Sequence, residues 1–275
     1  MTVWRTPKEK LLVALRRGEA ERVVAMIDQF PAELEPNMSA DTAENKLLHR
    51  AARYGHVKLI KCLVARGAEV EMENKFGMLP LHHGAVHGGE EVVGALLEAG
   101  ADPNRADRAG RLPLHWAATK GHVGAARRLL EAGARVVGGD REGFTPLHRC
   151  CQEEPGPAQQ EEEDRAGLDR NKAEVARLII ARGGDVSARE SQGQQTPLHL
   201  AGMNGLSEVS SVLLEAGADP SAVNKVMHPS SSPLSHFSLD RTDSPHIRRA
   251  GAPREGGGDP DQGRGGRQLQ QQAAQ

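Results

Sequence analysis

One short phrase of sequence returns along this chain at a fixed interval of 33 residues. Each copy ends in leucine and histidine, and the histidines of the first four copies are His49, His82, His115 and His148. A fifth copy ends at His199, which lies 51 residues further on, one period plus 18 residues. Self-similarity at such a period predicts a solenoid of stacked units rather than a single core.

Each period also carries the signals for two short helices. In the third copy, Pro113 stands at the first helical turn, where the missing N–H of proline would be unpaired anyway. The small pair Ala117-Ala118 permits a close approach of the neighbouring helix. Gly121 follows at the mid-unit turn, and Gly133 ends the second helix in the left-handed conformation that glycine readily adopts. The chain is thus predicted to repeat a helix–turn–helix unit.

Composition agrees with stacked helix pairs and excludes several other classes of protein. Hydrophobic residues make up 38% of the 275 residues and aromatic residues only 3%, which suits packing through Leu, Val and Ala. The net charge of −2 excludes a strongly basic coat for nucleic acid. Three cysteines are too few for a disulfide framework. Because no secretory leader and no membrane span is readable, we expect a protein of the cytoplasm or nucleus with no membrane contact. We also expect it to be monomeric.

The repeated pattern resembles the ankyrin repeat family. The stretch Leu-Pro-Leu-His-Trp-Ala-Ala-Thr-Lys-Gly-His-Val at 112–123 is similar to the family consensus, and so is the stretch at 92–104 that ends Glu-Ala-Gly-Ala-Asp-Pro-Asn. The resemblance covers roughly residues 8–225. It implies an all-α ankyrin-repeat solenoid, built from helix–turn–helix–β-hairpin units.

We expect three regions along the chain. Residues 1–40 should form an N-terminal capping helix pair, and 41–225 should hold five ankyrin-type repeats. The fourth repeat carries an insertion at 155–171, predicted to be a flexible acidic loop that ends where Asn171 starts the outer helix. Residues 226–275, rich in Ser and Pro and then in Gly and Arg, are predicted to be a disordered tail.

The family resemblance also implies roles for individual residues. The motif histidines inherit the role of structural clips that hydrogen-bond within and between turns, and they are His49, His82, His115, His148 and His199. The hairpin tips and the exposed side of the inner helices are where the family varies. The partner-binding residues predicted there are Arg53, Tyr54, Lys75, Phe76, His83, His87, Arg108, Arg111, Trp116, Lys120, Arg141 and Arg149.

This surface is predicted to be basic. Among its tip and inner-helix residues we count eight Lys or Arg against two acidic residues, a charge of about +6 on a chain of −2 overall. We therefore expect a non-enzymatic scaffold or adaptor that binds another protein, with an acidic segment, on the concave face. Aromatic and arginine side chains should act as its anchors.

Two further hypotheses remain open. The same basic face could bind a polyanion or nucleic acid, although the acidic insertion and the negative net charge count against this. Alternatively, the acidic run at 159–164 could fold across the basic groove and compete with a partner as a tethered inhibitor.

Two groups of residues suggest chemistry but are better explained by packing. His82, His83 and His87 lie together in sequence, yet zinc needs three or four converging ligands and no cysteine is nearby. Cys150 and Cys151 follow a histidine, but they occupy the positions of the buried alanine pair. We expect no catalytic residues, no metal site and no cofactor.

Overall fold

The computed structural model describes residues 6–31, 33–152 and 162–225, all within the compact unit Met1–Ser238. These residues form twelve α-helices, arranged as six consecutive pairs. Their bounds are α1 Pro7–Arg17, α2 Ala20–Gln29, α3 Leu47–Arg53, α4 Val57–Ala65, α5 Pro80–His87, α6 Glu90–Glu98, α7 Pro113–Lys120, α8 Val123–Glu131, α9 Pro146–Cys150, α10 Glu162–Ala181, α11 Pro197–Met203 and α12 Ser207–Glu215.

The helices stack in two rows. The odd-numbered helices form one, here called the inner row, in which each contacts the next along the chain. The even-numbered helices form the outer row in the same way. The alanines of the motif are fully buried between inner helices, as at Ala117 and Ala118, and leucines such as Leu114 and Leu129 fill the space between the rows. The predicted all-α ankyrin-repeat solenoid is confirmed.

The connections between units differ from the predicted β-hairpins. Each is a tight turn, here called a finger, and the fingers are residues 41–45, 74–78, 107–111, 140–144 and 190–195. The described residues contain no β-strand, and their one isolated bridge joins Ser39 to Lys46. In the third finger, Asp107 N–H donates to the Arg111 carbonyl, while the Asp107 carboxylate accepts from the N–H groups of Ala109 and Arg111. A side chain thus takes the backbone donors that a strand ladder would use.

The fourth unit departs most from the pattern. Its inner helix α9 has only five residues, whereas its outer helix α10 has 20 and begins at Glu162. The prediction that this helix starts at Asn171 is wrong, because Asn171 lies in its middle. The extra turns pack on neighbouring units, with Leu168 seated against Gly121 of the third unit. The remainder of the predicted acidic loop, at 153–161, and the predicted disordered tail at 226–275 lie outside the described residues.

No helix in the described part of the chain combines the length and the apolar character that a membrane span requires.

Candidate functional site

The motif histidines connect successive units through both ring nitrogens. The Nδ1 atom of His82 accepts from Leu79 N–H at 3.0 Å, and its Nε2 donates to the Arg111 carbonyl in the next finger at 3.1 Å. His115 repeats this between Leu112 N–H and the Phe144 carbonyl, at 3.0 Å on each side. The corresponding rings of His49 and His148 reach the carbonyls of Met78 and Gln195. Four of the five motif histidines therefore join one inner helix to the following finger.

Burial keeps these rings neutral near pH 7. It lowers the pKa of His49, His82 and His115 from 6.5 to about 4, because the charged ring would lose its hydration. The pKa of His148 and His199 is lowered for the same reason. A neutral ring has one donor and one acceptor, which matches the N–H group and the carbonyl that each bridging ring contacts.

A second network, repeated in the first, third and fourth fingers, joins an aspartate of the finger to its own inner helix. Asp107, whose side chain is 1% exposed, pairs with Arg111 at 3.0 Å and accepts from the Trp116 indole at 3.2 Å. The Arg111 guanidinium also lies over the Trp116 ring, 3.9 Å from its centre. One unit later, Asp140 binds Arg149 in the same way, and Arg149 also lies over the ring of Phe144.

This network lowers the net charge of the surface that was predicted to bind a partner. Three of the eight basic residues counted there are Arg50, Arg111 and Arg149, and each is paired with a finger aspartate. Adding those three carboxylates to the count reduces the charge of the surface from about +6 to about +3. Trp116, Arg111 and Arg149 are also half-buried, so they stabilise the fingers as well as facing the surface.

The structure separates the predicted partner-binding residues into two groups by exposure. The exposed ones are Arg53, Lys75, Phe76, His87, Arg108 and Arg141. The half-buried ones are Tyr54, His83, Arg111, Trp116, Lys120 and Arg149. Phe76 is 53% exposed at a fingertip, and Met203, absent from the predicted set, is 62% exposed at the end of α11.

A groove between the first two inner helices was not predicted from the sequence. It has a volume of about 320 Å³ and lies between α1 and α3. Its walls are Leu12, Val13, Leu15, Arg16, Arg50 and Tyr54. The periodicity of α1 could only assign its leucines to a buried face, and it could not show that Leu12 and Val13 remain half-buried beside the groove.

The cysteines of the fourth unit are poorly suited to nucleophilic chemistry. Cys150 and Cys151 are fully buried, and burial raises the pKa of the Cys150 thiol to about 12 and that of Cys151 well above its ordinary value. His148, the neighbouring base, already uses both ring nitrogens in hydrogen bonds. Within the described ranges, no three His, Cys, Asp or Glu side chains converge as a metal site would require.

Comparison with known proteins agrees with this architecture. The family model for ankyrin repeats in three copies matches residues 11–107 and 104–159, and the single ankyrin repeat model matches 193–225. An ankyrin repeat protein of Fowlpox virus (strain NVSL) is 41% identical over 56 residues. That match covers 20% of this chain and 13% of the viral protein, so the chain spans only a small part of this relative.

Ankyrin repeats generally mediate protein–protein interaction, and proteins built from them are typically non-enzymatic. The matched residues make up well over half of the chain, and they carry the period, the helix pairs and the bridging histidines described above. The chain belongs to the ankyrin repeat family.

Proposed function

We propose that this protein is a non-enzymatic adaptor that binds another protein on the face formed by the inner row and the fingers. The observation that carries the proposal is the set of histidine bridges from inner helix to following finger. These bridges fix the register of successive units, so the exposed residues of the inner helices and the fingers are held in fixed positions. A preformed surface binds with a smaller loss of conformational entropy than a flexible one.

The side chains that remain available on this face are of the types that anchor interfaces. Arg53 and His87 are exposed on neighbouring inner helices, and Phe76 is exposed on the finger of the same unit as His87. Tyr54 stands half-buried beside the groove between α1 and α3. Aromatic and arginine residues contribute a large share of binding energy where they can be desolvated by a partner.

Affinity capture from cell lysate tests the face directly. The full chain is compared with the variant Arg53→Ala/Phe76→Ala, which removes one exposed arginine and one exposed apolar side chain from the proposed face. The matched control, Arg127→Ala/Val137→Ala, removes the same kinds of exposed side chain outside the inner row and the fingers. All three proteins should have the same helicity by circular dichroism.

We expect a protein partner that the full chain and the control retain and the Arg53→Ala/Phe76→Ala variant loses. Equal retention by all three proteins would contradict binding on this face. Repeating the capture after nuclease treatment tests the polyanion hypothesis, since a partner held through nucleic acid would then disappear. The surface charge of about +3 and the net charge of −2 favour a protein partner over nucleic acid.

A further inference from the structure

A row of positive charge runs along the tips of the fingers. It occupies the position directly after the polar residue that begins each finger, and the same position after the buried Asn224, which follows the last unit. The residues at this position are Thr42, Lys75, Arg108, Arg141, Ser191 and Lys225, and all six are exposed. Four of the six are cations, and Thr42 and Ser191 are the exceptions. We call these four residues the fingertip cation row.

Backbone hydrogen bonds hold the members of the row in one line. Arg108 N–H donates to the Phe76 carbonyl of the preceding fingertip, and Arg141 N–H donates to the Ala109 carbonyl, each at 3.0 Å. The same bond joins Lys75 to Ala43 and Lys225 to Gly193. Each cation is thus fixed to the tip before it, and the spacing of the row is the spacing of the units.

The tip glycines bring the arginine stems close to the preceding finger. A Cβ atom on Gly77 would lie 2.8 Å from Arg108 Cγ, and one on Gly110 would lie 3.3 Å from Arg141 Cγ. These two stems therefore lie over a glycine of the preceding tip, while the guanidinium groups extend into solvent. The two arginines are therefore packed at their base, while both residues remain exposed.

The two arginines of the row are not neutralised within the described part of the chain. Neither Arg108 nor Arg141 forms an ion pair there, in contrast to Arg111 and Arg149, which bind finger aspartates. The Lys75 ammonium lies 5.2 Å from the centre of the Phe76 ring and hydrogen-bonds the Thr42 carbonyl. Among the described residues it forms no ion pair with a carboxylate.

The spacing of the row defines a complementary ligand. Packed helices of neighbouring units lie about 8–10 Å apart, so the cations recur at about that interval. An extended peptide advances about 3.3 Å per residue, or about 10 Å for every three residues. We propose that the fingertip cation row binds an extended acidic segment of a partner protein whose Asp or Glu side chains recur at every third residue. This inference rests on the proposed function and specifies the chemistry of the partner.

A peptide fits the row better than a nucleic acid does. The tips between the cations carry Phe76 and Ala109, which can contact the uncharged residues of a peptide between its acids. Nucleic-acid binding draws on dense positive charge that neutralises many phosphates, whereas this row offers one charge per unit.

Binding of a synthetic peptide to the full chain tests the spacing. The probe is a fluorescein-labelled peptide of five Asp-Thr-Thr units, in which threonine favours an extended backbone. The comparison peptide has the same composition with its five aspartates adjacent. We expect fluorescence anisotropy at low salt to show at least about fivefold tighter binding of the first peptide, and this binding should weaken as salt screens the charges.

Matched variants separate the row from general electrostatics. Arg108→Glu/Arg141→Glu should weaken binding of the periodic peptide by about tenfold or more, since attraction becomes repulsion at two sites. Lys58→Glu/Arg127→Glu changes the net charge equally at exposed outer-row positions without ion pairs in the described ranges, and should stay within about twofold. Ser191→Arg adds a cation within the row and should tighten binding by about two- to fivefold.

Several results would overturn the proposal. Equal binding of the two peptides would show that spacing is not recognised, and equal loss in the two charge-reversal variants would show that only net charge matters. Tighter binding of a single-stranded oligonucleotide than of the periodic peptide would favour a polyanion instead. If the captured partner is lost by Arg53→Ala/Phe76→Ala but retained by Arg108→Glu/Arg141→Glu, the row is wrong while the proposed function stands. If the first of these variants also retains the partner, the proposed function fails as well.

Discussion

At the scale of the residue, the buried motif histidines make the stability of the fold depend on pH. The pKa of His49, His82 and His115 is about 4 in the folded protein, against 6.5 for an ordinary histidine. Between these values the unfolded chain binds protons that the folded protein does not, so stability is complete above about pH 6.5 and falls toward pH 4. At pH 5 the loss is about 2 kcal/mol per histidine. For the three histidines together this is about 6 kcal/mol, so thermal melts should show a Tm about 12–24 °C lower at pH 5 than at pH 7.5.

A glutamine variant isolates one of these titrating rings. Glutamine has no pKa in this range and cannot join Leu79 N–H to the Arg111 carbonyl as the His82 ring does. We expect His82→Gln to be less stable than the wild type at pH 7.5 but to lose less stability on acidification. Surface ion pairs affect stability at a lower pH than these histidines do. Arg66, for example, lowers the pKa of Asp28 from its ordinary value of 3.8. An unchanged Tm between pH 7.5 and pH 5 would refute this account of the rings.

At the scale of the element, the N-terminal half of α10 caps a helix of the following unit. Helix α12 begins after Leu206, which offers no capping side chain. Instead the buried carboxylate of Asp169 accepts from the N–H groups of Glu208 at 2.9 Å and Val209 at 3.2 Å. Removing a capping carboxylate costs about 1–2 kcal/mol. Asp169→Ala should lower the free energy of unfolding by about that amount in urea titrations, with faster hydrogen exchange at these two amides.

The same helix provides the control for this prediction. Asp164 is an exposed acid five residues before Asp169, so Asp164→Ala should change the free energy of unfolding by less than about 0.5 kcal/mol. An equal effect of the two substitutions would indicate a general charge effect on α10. Unchanged exchange at Glu208 and Val209 in Asp169→Ala would show that the capping bonds contribute nothing to α12.

The sequence predicted the elements whose causes are local and missed those whose causes are distant. Proline, the alanine pair and the histidine of each motif lie within a few residues of the helix start that they specify. The extra turns of α10 depend on Leu168 packing on Gly121, on Asp169 capping α12 and on Arg165 bonding the Asn204 carbonyl. Gly167 weakens the local helix signal by about 1 kcal/mol relative to alanine. The helical pattern of that stretch is therefore weak, and it could not reveal these contacts with other units.

The candidate site shows the same limit. Its positions along the inner row and the fingers were predicted from the family resemblance, but the pairing of its charges was not predicted. Asp107 and Asp140 were not among the predicted residues, and an aspartate that accepts backbone N–H groups in a turn is a common local pattern. Through the second oxygen of the same carboxylate, Asp107 also binds Arg111 of its own finger and the Trp116 indole of the inner helix, and Asp140 also binds Arg149 of its inner helix. Only the folded geometry shows that one carboxylate serves both purposes.

At the scale of the whole molecule, the main helix–helix contacts between units in the described part of the chain join adjacent units. Inner helices contact the next inner helix, and outer helices contact the next outer helix, along the described chain. The stability of such a protein is approximately a sum over units and their interfaces, so a local defect should be felt mostly nearby. Leu15 in α1 and Leu213 in α12 lie at opposite ends of this array, and both are fully buried.

Two cavity-forming substitutions, one at each end, test whether a local defect affects only the nearby units. Leu15→Ala and Leu213→Ala should each cost about 2–5 kcal/mol locally, because a buried leucine is replaced by a cavity. Hydrogen exchange should then show lost protection in α1–α4 for Leu15→Ala, with α11 and α12 unchanged, and the reverse pattern for Leu213→Ala. Each variant is the control for the other. If both substitutions lower protection uniformly along the chain, the histidine bridges and the backbone hydrogen bonds between fingertips couple the units into one cooperative structure. A description of stability as a sum over units and their interfaces would then be wrong.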